Sequence, residues 1–599
     1  NAYLTREENR FPRNEVLTID LHCHDRNSDT PDELLGRILG VPETWLDSKE
    51  LISTLSRHGC DTFTVTNHNN ARSCYELREK GIDALTGAEF SCTVPDYGIG
   101  IHVLTYGFTP AQEEFLYKLR SDLYRFLDFT AEHDIPTIWA HPLYHYKLGR
   151  VPLEFFDKMA LMFERFEVIN GQRDSWQNML VRKWLETLTE QRIEELSEKF
   201  GIRPDRYCRQ PYRKTAAGGS DSHMGIFAGL SGARLYVPDL KEKLKLMTRS
   251  MAALEAIKKG NMSPFGSHNE SRKMTVAFLD YFCQIGLHMK DPGLLRMLLH
   301  KGDAKEKLTA FMLANGFSEL QRHKLTMSFL KLFHECFAGN VPGFTKRLMV
   351  PRVYKNTFAL AGRIAEARRD APEQALATFE DSIRKIYDEL SGILIERLNG
   401  KLDEMVKQGK AKSIDPSCLI EQIELPSNIR SLFGGGREGA QSGRGAFDLN
   451  GFLDGLSFPF LAAAVILGAH FTSANVLYKA RPLLREFSEK INYLPHPKRV
   501  LWMTDTLDDG NGVAMVLKSM LAEVRKYDLP IDFLVCSPKL EPGDHLIVVP
   551  PAAEYTPPFY EQQPIRLPNV LDVQRAFRDG EYDRIVCSTE GPMGVLALY

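Results

Sequence analysis

The stretch Asp20-Leu21-His22-Cys23-His24 follows directly after the apolar residues Val16-Leu17-Thr18-Ile19. The β-branched run predicts a short strand whose end carries two imidazoles. Residues i and i+2 of a strand point to the same face, so His22 and His24 are placed to hold one metal ion together. A lone His-x-His pair also occurs on strands that bind no metal, so the interpretation depends on residues further along the chain.

The composition indicates an ordinary multidomain protein. The 599 residues correspond to roughly three to five domains of about 100–200 residues each. A net charge of −3 gives no basic field, so no nucleic-acid partner is expected. The ten cysteines form no CxxC pair, and the first 30 residues lack the apolar core of a signal peptide. These features favour the cytoplasm.

The longest apolar stretch runs from Phe458 to Phe471. It is shorter than the ~20 residues that a helix needs to span a bilayer. We therefore predict a buried helix here and no transmembrane segment.

Residues 16 to about 240 alternate strand-like runs with amphipathic stretches, as expected of a parallel α/β layout. The amphipathic stretches include the predicted helices Ser48–His58 and Phe115–His133. The predicted strands are Thr18–Leu21, Thr62–Thr66, Ala84–Leu85, His102–Tyr106, Thr137–Trp139, Phe166–Ile169 and Leu235–Val237. The sequence thus predicts an α/β multidomain protein whose first domain spans residues 16–265.

Residues 266–430 change to a helical pattern, with apolar residues three and four positions apart. No cluster of chemically reactive residues stands out there. Residues 431–447 are predicted to be a Gly-rich linker or mobile loop, and residues 448–496 a helical connector. Residues 497–599 resume a β/α alternation, which predicts a doubly wound, Rossmann-like domain. The turn Asp508–Val513 is not GxGxxG, so no dinucleotide site is predicted.

Seven further potential ligands fall at or near predicted strand ends: Asp29, His68, Glu89, His102, His141, Asp221 and His223. Individually, Asp29 and Asp221 also fit helix caps, and His102 fits a core histidine. Together with His22 and His24 they form a set of imidazoles and carboxylates that suits Zn²⁺, Mn²⁺ or Fe. The set contains no thiolate, which argues against a structural zinc site.

Residues about 16–240 resemble the PHP (polymerase and histidinol phosphatase) superfamily. The matching motifs are Asp20–His24 with Ser28-Asp29, Thr66-Asn67-His68, Gly87-Ala88-Glu89, His102, Ala140-His141-Pro142 and Gly219–His223. The resemblance implies a distorted (β/α)7 barrel with two or three divalent metal ions. It assigns one ion to His22, His24, Glu89 and Asp221, a second to Glu89, His102 and His141, and a third to Asp29, His68 and His223.

Such a centre suits phosphoester hydrolysis, because two ions can activate a shared water and neutralise phosphoryl charge. The resemblance implies catalytic roles for His22, His24, Glu89, Asp221 and His223. The chain has Asn67 where the family usually has Asp, which weakens the expected third site. The family's phosphate-binding arginine is not evident after His141. The candidates to replace it are Arg72, His145, Lys147 and Arg173.

Residues about 497–599 resemble the N-terminal half of a family-4 GT-B glycosyltransferase, through Arg499–Thr506, Asp508–Val513 and Ser588–Gly594. The resemblance implies that nucleotide-sugar binding needs a second Rossmann-like half. Because the sequence ends at Tyr599, we expect either a fragment of a longer protein or a remnant. Sugar transfer is not expected from this chain alone.

The leading hypothesis is therefore a cytoplasmic metal-dependent phosphoesterase acting on a small phosphomonoester or nucleotide, joined to a glycosyltransferase-like domain. One alternative is a glycosyltransferase of glycolipid or polysaccharide synthesis in which the first domain is accessory or regulatory. Another is a non-catalytic interaction module. The native metal and the oligomeric state stay open at this point.

Overall fold

The computed structural model describes residues 2–28, 36–37, 40–145, 151–266, 271–289, 324–338, 350–370, 374–407, 449–555 and 564–598. The described residues fall into two compact units. The first unit comprises those of residues 1–281 and 472–495. The second unit comprises those of 282–298, 311–471 and 496–599. The five-part division predicted from the sequence stays a prediction.

The described part of the first unit contains ten strands in three sheets. The strands are β1 (Val16–Ile19), β2 (Phe63–Thr64), β3 (Ala84–Leu85), β4 (Gly87–Val94), β5 (Ile99–Tyr106), β6 (Thr137–Trp139), β7 (Arg165–Asn170), β8 (Thr215–Gly219), β9 (Gly232–Tyr236) and β10 (Met262–Phe265). Their orders are β1-β9-β10, β2-β3 and β4-β5-β6-β7-β8. Parallel bridges between Cys23 and Ser222 and between His68 and Glu89 supplement these sheets.

The first unit also contains helices, most of them between its strands. They are Ala2–Glu8, Ser48–Arg57, Arg72–Glu79, Pro110–Leu119, Leu123–Glu132, Leu153–Ala160, Ser175–Thr187, Glu190–Phe200, Leu240–Lys243, Arg249–Lys258 and Arg481–Lys490, with 3-10 turns at Arg13–Glu15 and Pro204–Arg206. A large core in the described part of this unit packs Trp139 of β6 and Phe166 of β7 against Trp184. The single predicted helix Phe115–His133 is two helices, because Asp122 caps a new helix start with its side chain.

The predicted parallel layout is wrong for part of the first unit. β4 pairs antiparallel with β5, and β5 pairs antiparallel with β6. The physical reason is the short connection 95–98 between β4 and β5, because a turn of this length joins only antiparallel neighbours. β6 and β7 are parallel, as predicted. β7 is also parallel to β8, a strand that was not predicted from the sequence. The fold of this region is mixed α/β, and the seven-stranded barrel stays a prediction.

The second unit contains a four-stranded parallel sheet. Its order is β13-β12-β11-β16, formed by β11 (Val500–Thr504), β12 (Ile531–Cys536), β13 (Leu546–Val549) and β16 (Arg584–Cys587). A separate antiparallel pair joins β14 (Pro551–Tyr555) and β15 (Ile565–Pro568). Helices in or extending into this unit are Ser271–His288, Lys324–Phe337, Lys355–Asp370, Ala375–Lys407, Leu449–Lys479, Gly512–Tyr527, Val570–Asp579 and Pro592–Ala597, with a 3-10 turn at Arg352–Tyr354. The Gly-rich stretch 431–447 lies outside the described residues.

The apolar stretch from Phe458 to Phe471 lies inside the helix Leu449–Lys479. Several of its side chains, including Leu461, Ile466 and Ala469, are buried. The segment Leu461–Lys490 is long and apolar enough to cross a membrane by length and composition, and 44% of its most apolar window is buried. Core helices of soluble proteins share these properties, so the absence of a transmembrane segment stays a prediction.

Candidate metal centre

Eight of the nine predicted ligands meet in one buried cluster, and Asp29 lies outside the described residues. Four strand ends supply six of them: His22 and His24 follow β1, His68 follows β2, His141 follows β6, and Asp221 and His223 follow β8. The other two, Glu89 and His102, lie within the β4–β5 hairpin. Glu89 pairs with Leu104 and His102 pairs with Ser91, so these two are diagonal neighbours on one face.

The carboxylate of Glu89 is surrounded by five imidazoles. Its Oε2 lies near nitrogens of three of them, at 3.1 Å (His22), 3.3 Å (His24) and 3.2 Å (His68). Its Oε1 lies 2.7 Å from His102 Nδ1 and 3.3 Å from His141 Nε2. The two carboxylate oxygens thus face different groups of histidines, Oε2 the first three and Oε1 the other two. This is the arrangement needed for Glu89 to bridge two cations.

Asp221 is a second carboxylate beside His22 and His24. Its Oδ1 lies 3.4 Å from His22 Nε2 and 3.7 Å from His24 Nε2. The cluster contains three groups whose ligand atoms lie within 4.8 Å of one another: His22, His24 and Asp221; His68, Glu89 and His102; and His24, Glu43, His68 and His223.

Glu43 is a ligand candidate that sequence reasoning missed. Its Oε2 lies 3.3 Å from His68 Nε2, and its Oε1 lies 3.2 Å from His223 Nε2. The Ser28 hydroxyl donates a hydrogen bond to it at 2.7 Å. Glu43 follows Val41-Pro42 in a loop rather than a strand, so no periodic signal marks it. It provides a carboxylate beside the two histidines assigned to the third ion.

The donor set fits divalent cations. The Nε2 atoms of His22 and His24 are buried and make no hydrogen bond, although Glu89 Oε2 lies close to both. Nitrogen and oxygen ligands bind such ions at about 2.0–2.2 Å, so two ligands of one ion lie roughly 3–3.5 Å apart. Four of the five distances around Glu89, at 3.1–3.3 Å, match this spacing, and the distance to His102 is shorter, at 2.7 Å. Imidazole and carboxylate without thiolate suit Zn²⁺, Mn²⁺ or Fe, and the geometry does not distinguish them.

The electrostatics of the cluster favour ionised carboxylates. Burial raises the pKa of Glu89, but the surrounding imidazoles, led by His22 and His102, lower it well below its usual value. Burial lowers the pKa of His24 far below normal, and His223 reinforces the shift. A neutral imidazole beside an ionised carboxylate is the form that binds a metal ion. Burial also lowers the pKa of His22, but its carboxylate neighbours reverse the shift and hold it well above normal.

Glu167 orients His22 and was also missed from the sequence. Because a carboxylate only accepts, His22 Nδ1 donates to Glu167 Oε1 at 2.9 Å, which leaves Nε2 facing the cluster. Glu167 Oε2 accepts from the backbone N–H of His141 at 2.8 Å and from Asn170 Nδ2 at 2.9 Å. A signal was present, because Glu167 is the one acidic residue in the otherwise apolar segment Phe166–Ile169 of strand β7, all of which is buried.

The backbone around the cluster is strained and close-packed. His141 and Asp221 adopt left-handed conformations with φ of 29° and 51°. Such conformations are costly for residues with side chains and concentrate at functional sites. At Gly219 a Cβ atom would lie 2.3 Å from the Cβ of His22. Only glycine therefore allows β8 to approach the His-x-His segment this closely.

Asn67 does not orient His68 through its side chain. Its amide donates to Asp25 Oδ1 at 2.8 Å and to Ser73 Oγ at 2.9 Å, and its Oδ1 accepts from the Asp25 backbone N–H. The amide instead holds the loop that follows the His-x-His segment. The expected weakening of the third site assumed a contact between the Asn67 side chain and His68, and the side chain instead bonds to Asp25 and Ser73.

Arg173 is the phosphate-binding candidate that lies at the cluster. Its guanidinium is buried, with Nη2 at 3.2 Å from Asp221 Oδ2. The guanidinium carbon lies 3.6 Å from the centre of the Tyr144 ring. This stacking holds a planar cation beside the carboxylates.

The other phosphate-binding candidates lie elsewhere. The His145 ring packs edge-on against Phe155 and Phe156, and burial lowers its pKa to about 4. Arg72 is exposed, with Nη1 at 3.5 Å from Asn27 Oδ1. Lys147 lies outside the described residues.

A cleft opens beside the cluster. It encloses about 570 Å³, including its open mouth. Glu43, His223 and Arg173 line its polar end, with Tyr144 and Gln172 beside them. A small molecule held in this cleft would lie next to the candidate metal ligands.

No protein-family model matches the sequence, and no curated protein matches it. Among solved structures, a protein of Bifidobacterium adolescentis described as a metal-dependent phosphoesterase is 12% identical. It matches over 38% of this chain and 96% of its own length, with a TM-score of 0.24. An amidohydrolase of Chromobacterium violaceum with bound sulfate and no metal is 14% identical over the same shares, with a TM-score of 0.22. The functional evidence therefore lies in the ligand cluster itself.

Proposed function

We propose that the first domain is a metal-dependent hydrolase that acts on a small phosphomonoester or nucleotide. The observation that carries the proposal is the buried cluster in which Glu89 faces five imidazoles while Asp221 and Glu43 flank it. Two or three divalent ions held there would activate water and neutralise charge on phosphoryl oxygens. The catalytic assignment of His22, His24, Glu89, Asp221 and His223 belongs to this proposal.

The protein's own residues would set the geometry of the reaction. The two oxygens of Glu89 fix the positions of the histidines on either side of it, with Oε2 beside His22 and Oε1 beside His102. Glu167 fixes the His22 tautomer and restrains the backbone at His141. Arg173, stacked on Tyr144 at the cleft, is placed to bind a phosphoryl oxygen. Such positioned cationic donors stabilise negative charge that develops during phosphoryl transfer.

The test combines metal analysis with a panel of phosphoesters. We expect the purified chain to bind divalent metal and to hydrolyse at least one phosphomonoester. The double variant His22→Ala/Asp221→Ala should lose both properties. The matched control is His133→Ala/Asp205→Ala, which changes the same residue types at exposed positions. Metal binding without hydrolysis of any phosphoester would contradict the catalytic proposal and favour an interaction module.

The link to glycosyltransferase chemistry rests on the sequence resemblance of residues 497–599. The parallel sheet β13-β12-β11-β16 is compatible with it but is common to many α/β proteins. The glycolipid or nucleotide-sugar connection and the cytoplasmic location stay predictions.

A further inference from the structure

The cleft beside the metal cluster has two chemically different sides. Its polar end carries Glu43, His223 and Arg173. Tyr144 and Gln172 lie beside these three residues. The rest of the described wall is largely apolar and is formed by Met224, Met274, Ala277, Phe278, Tyr281 and Val476. A ligand that binds here therefore meets charge at one end and an apolar surface next to it.

One helix supplies most of the apolar wall. Met274, Ala277, Phe278 and Tyr281 all belong to the helix Ser271–His288. Their spacing of i, i+3, i+4 and i+7 places them on a single helical face. Three of the four are buried, and Ala277 is half-buried. The wall is thus part of the packed structure, and this part of the helix lies in the same compact unit as the metal cluster.

We propose that this cleft selects phosphomonoesters whose organic group is apolar or aromatic, and disfavours polyhydroxylated ones. The inference rests on the proposed phosphoesterase function and specifies its substrate class. An apolar group against this wall gains the free energy of removing its surface from water. A sugar would instead bury hydroxyl groups against methionine and phenylalanine side chains, where hydroxyl groups without hydrogen-bond partners are unfavourable.

Binding of phosphonates tests the selectivity without relying on turnover. Phenylphosphonate, methylphosphonate and 2,3-dihydroxypropylphosphonate would be titrated into the metal-loaded full chain by calorimetry. Burial of one additional ring predicts that phenylphosphonate binds roughly 10- to 100-fold tighter than methylphosphonate. The dihydroxypropyl compound should bind no tighter than methylphosphonate. Equal affinities, or tighter binding of the dihydroxypropyl compound than of phenylphosphonate, would overturn the inference.

A variant pair locates the effect on the helix. Met274→Gln places an amide in the apolar wall at similar volume, and we expect it to reduce the phenyl preference at least about fivefold. Methylphosphonate affinity should stay unchanged. Met251→Gln makes the same substitution at an exposed position and should change neither affinity. If Met274→Gln lowers the melting temperature strongly, the half-buried Met224→Gln serves instead. If the Met274→Gln or Met224→Gln variant is folded and still prefers phenylphosphonate over methylphosphonate as strongly as the wild type, the inference is contradicted.

The outcomes separate this inference from the proposed function. Hydrolysis of phosphoesters without any preference for apolar groups would refute only the substrate class. Failure to hydrolyse any phosphoester, aryl esters included, together with no binding of any phosphonate would refute the function as well.

Discussion

Replacement of Glu167 by Gln tests how the cluster is held in place. The Glu167 carboxylate accepts three hydrogen bonds, from His22 Nδ1, the His141 backbone N–H and Asn170 Nδ2, at 2.8–2.9 Å. Glutamine keeps the shape but has only one acceptor oxygen, so its NH₂ group must face at least one of these donors. Loss of such a partner of a metal-bound histidine typically costs 10- to 100-fold in metal affinity, or about 1.4–2.8 kcal/mol.

The assay is competition for Zn²⁺ or Mn²⁺ against a chromophoric chelator, with folding followed by circular dichroism. Glu164→Gln is the matched control, because Glu164 is also largely buried but precedes the same strand β7 and pairs with Arg165 at 2.9 Å. We expect the control to change stability only. A folded Glu167→Gln variant whose metal affinity stays within about twofold of wild type would refute the orienting role.

Three further predictions test individual side chains. Glu43→Gln should lower the metal content by one ion per chain in mass spectrometry, because it removes the carboxylate beside His68 and His223; unchanged content contradicts this role. Arg173→Lys should raise KM for phosphoesters about 10-fold or more with unchanged metal content, because lysine lacks the planar guanidinium that stacks on an aromatic ring; an unchanged KM contradicts it. Burial lowers the pKa of Lys273 to about 7. Between about pH 7 and 10.4, Lys273 is therefore neutral in the folded chain and protonated in the unfolded chain. The free energy of unfolding, relative to that of the Lys273→Met variant, should therefore rise with pH by up to about 1.4 kcal/mol per pH unit. Denaturant titrations at pH 7 and 9 that give equal differences would refute this.

The sequence predicted the candidate ligands that follow from local periodicity. His22 and His24 lie on one face because a strand alternates with period two, and the structure places both at Glu89. The strand-end positions of His68 and His141 followed from short apolar runs in the same way. Strands β3 and β6 also lie at their predicted positions.

The missed features depend on contacts between distant parts of the chain. Glu43 reaches the cluster through a loop conformation that no repeat pattern encodes. Glu167 could have been singled out as a charge inside an apolar strand, but its partner His22 lies 145 residues away in sequence. The helix Ser271–His288 has an ordinary amphipathic pattern, and only tertiary packing shows that it lines the cleft.

Metal content of the purified full chain is the most direct test of the central claim. The protein would be loaded with Zn²⁺, Mn²⁺ or Fe²⁺ in turn, desalted and measured by inductively coupled plasma mass spectrometry. The arrangement around Glu89 predicts about two or three ions per chain for at least one metal, with loss of most of them in His22→Ala/Asp221→Ala. A folded wild-type chain that retains none of these metals would contradict the account.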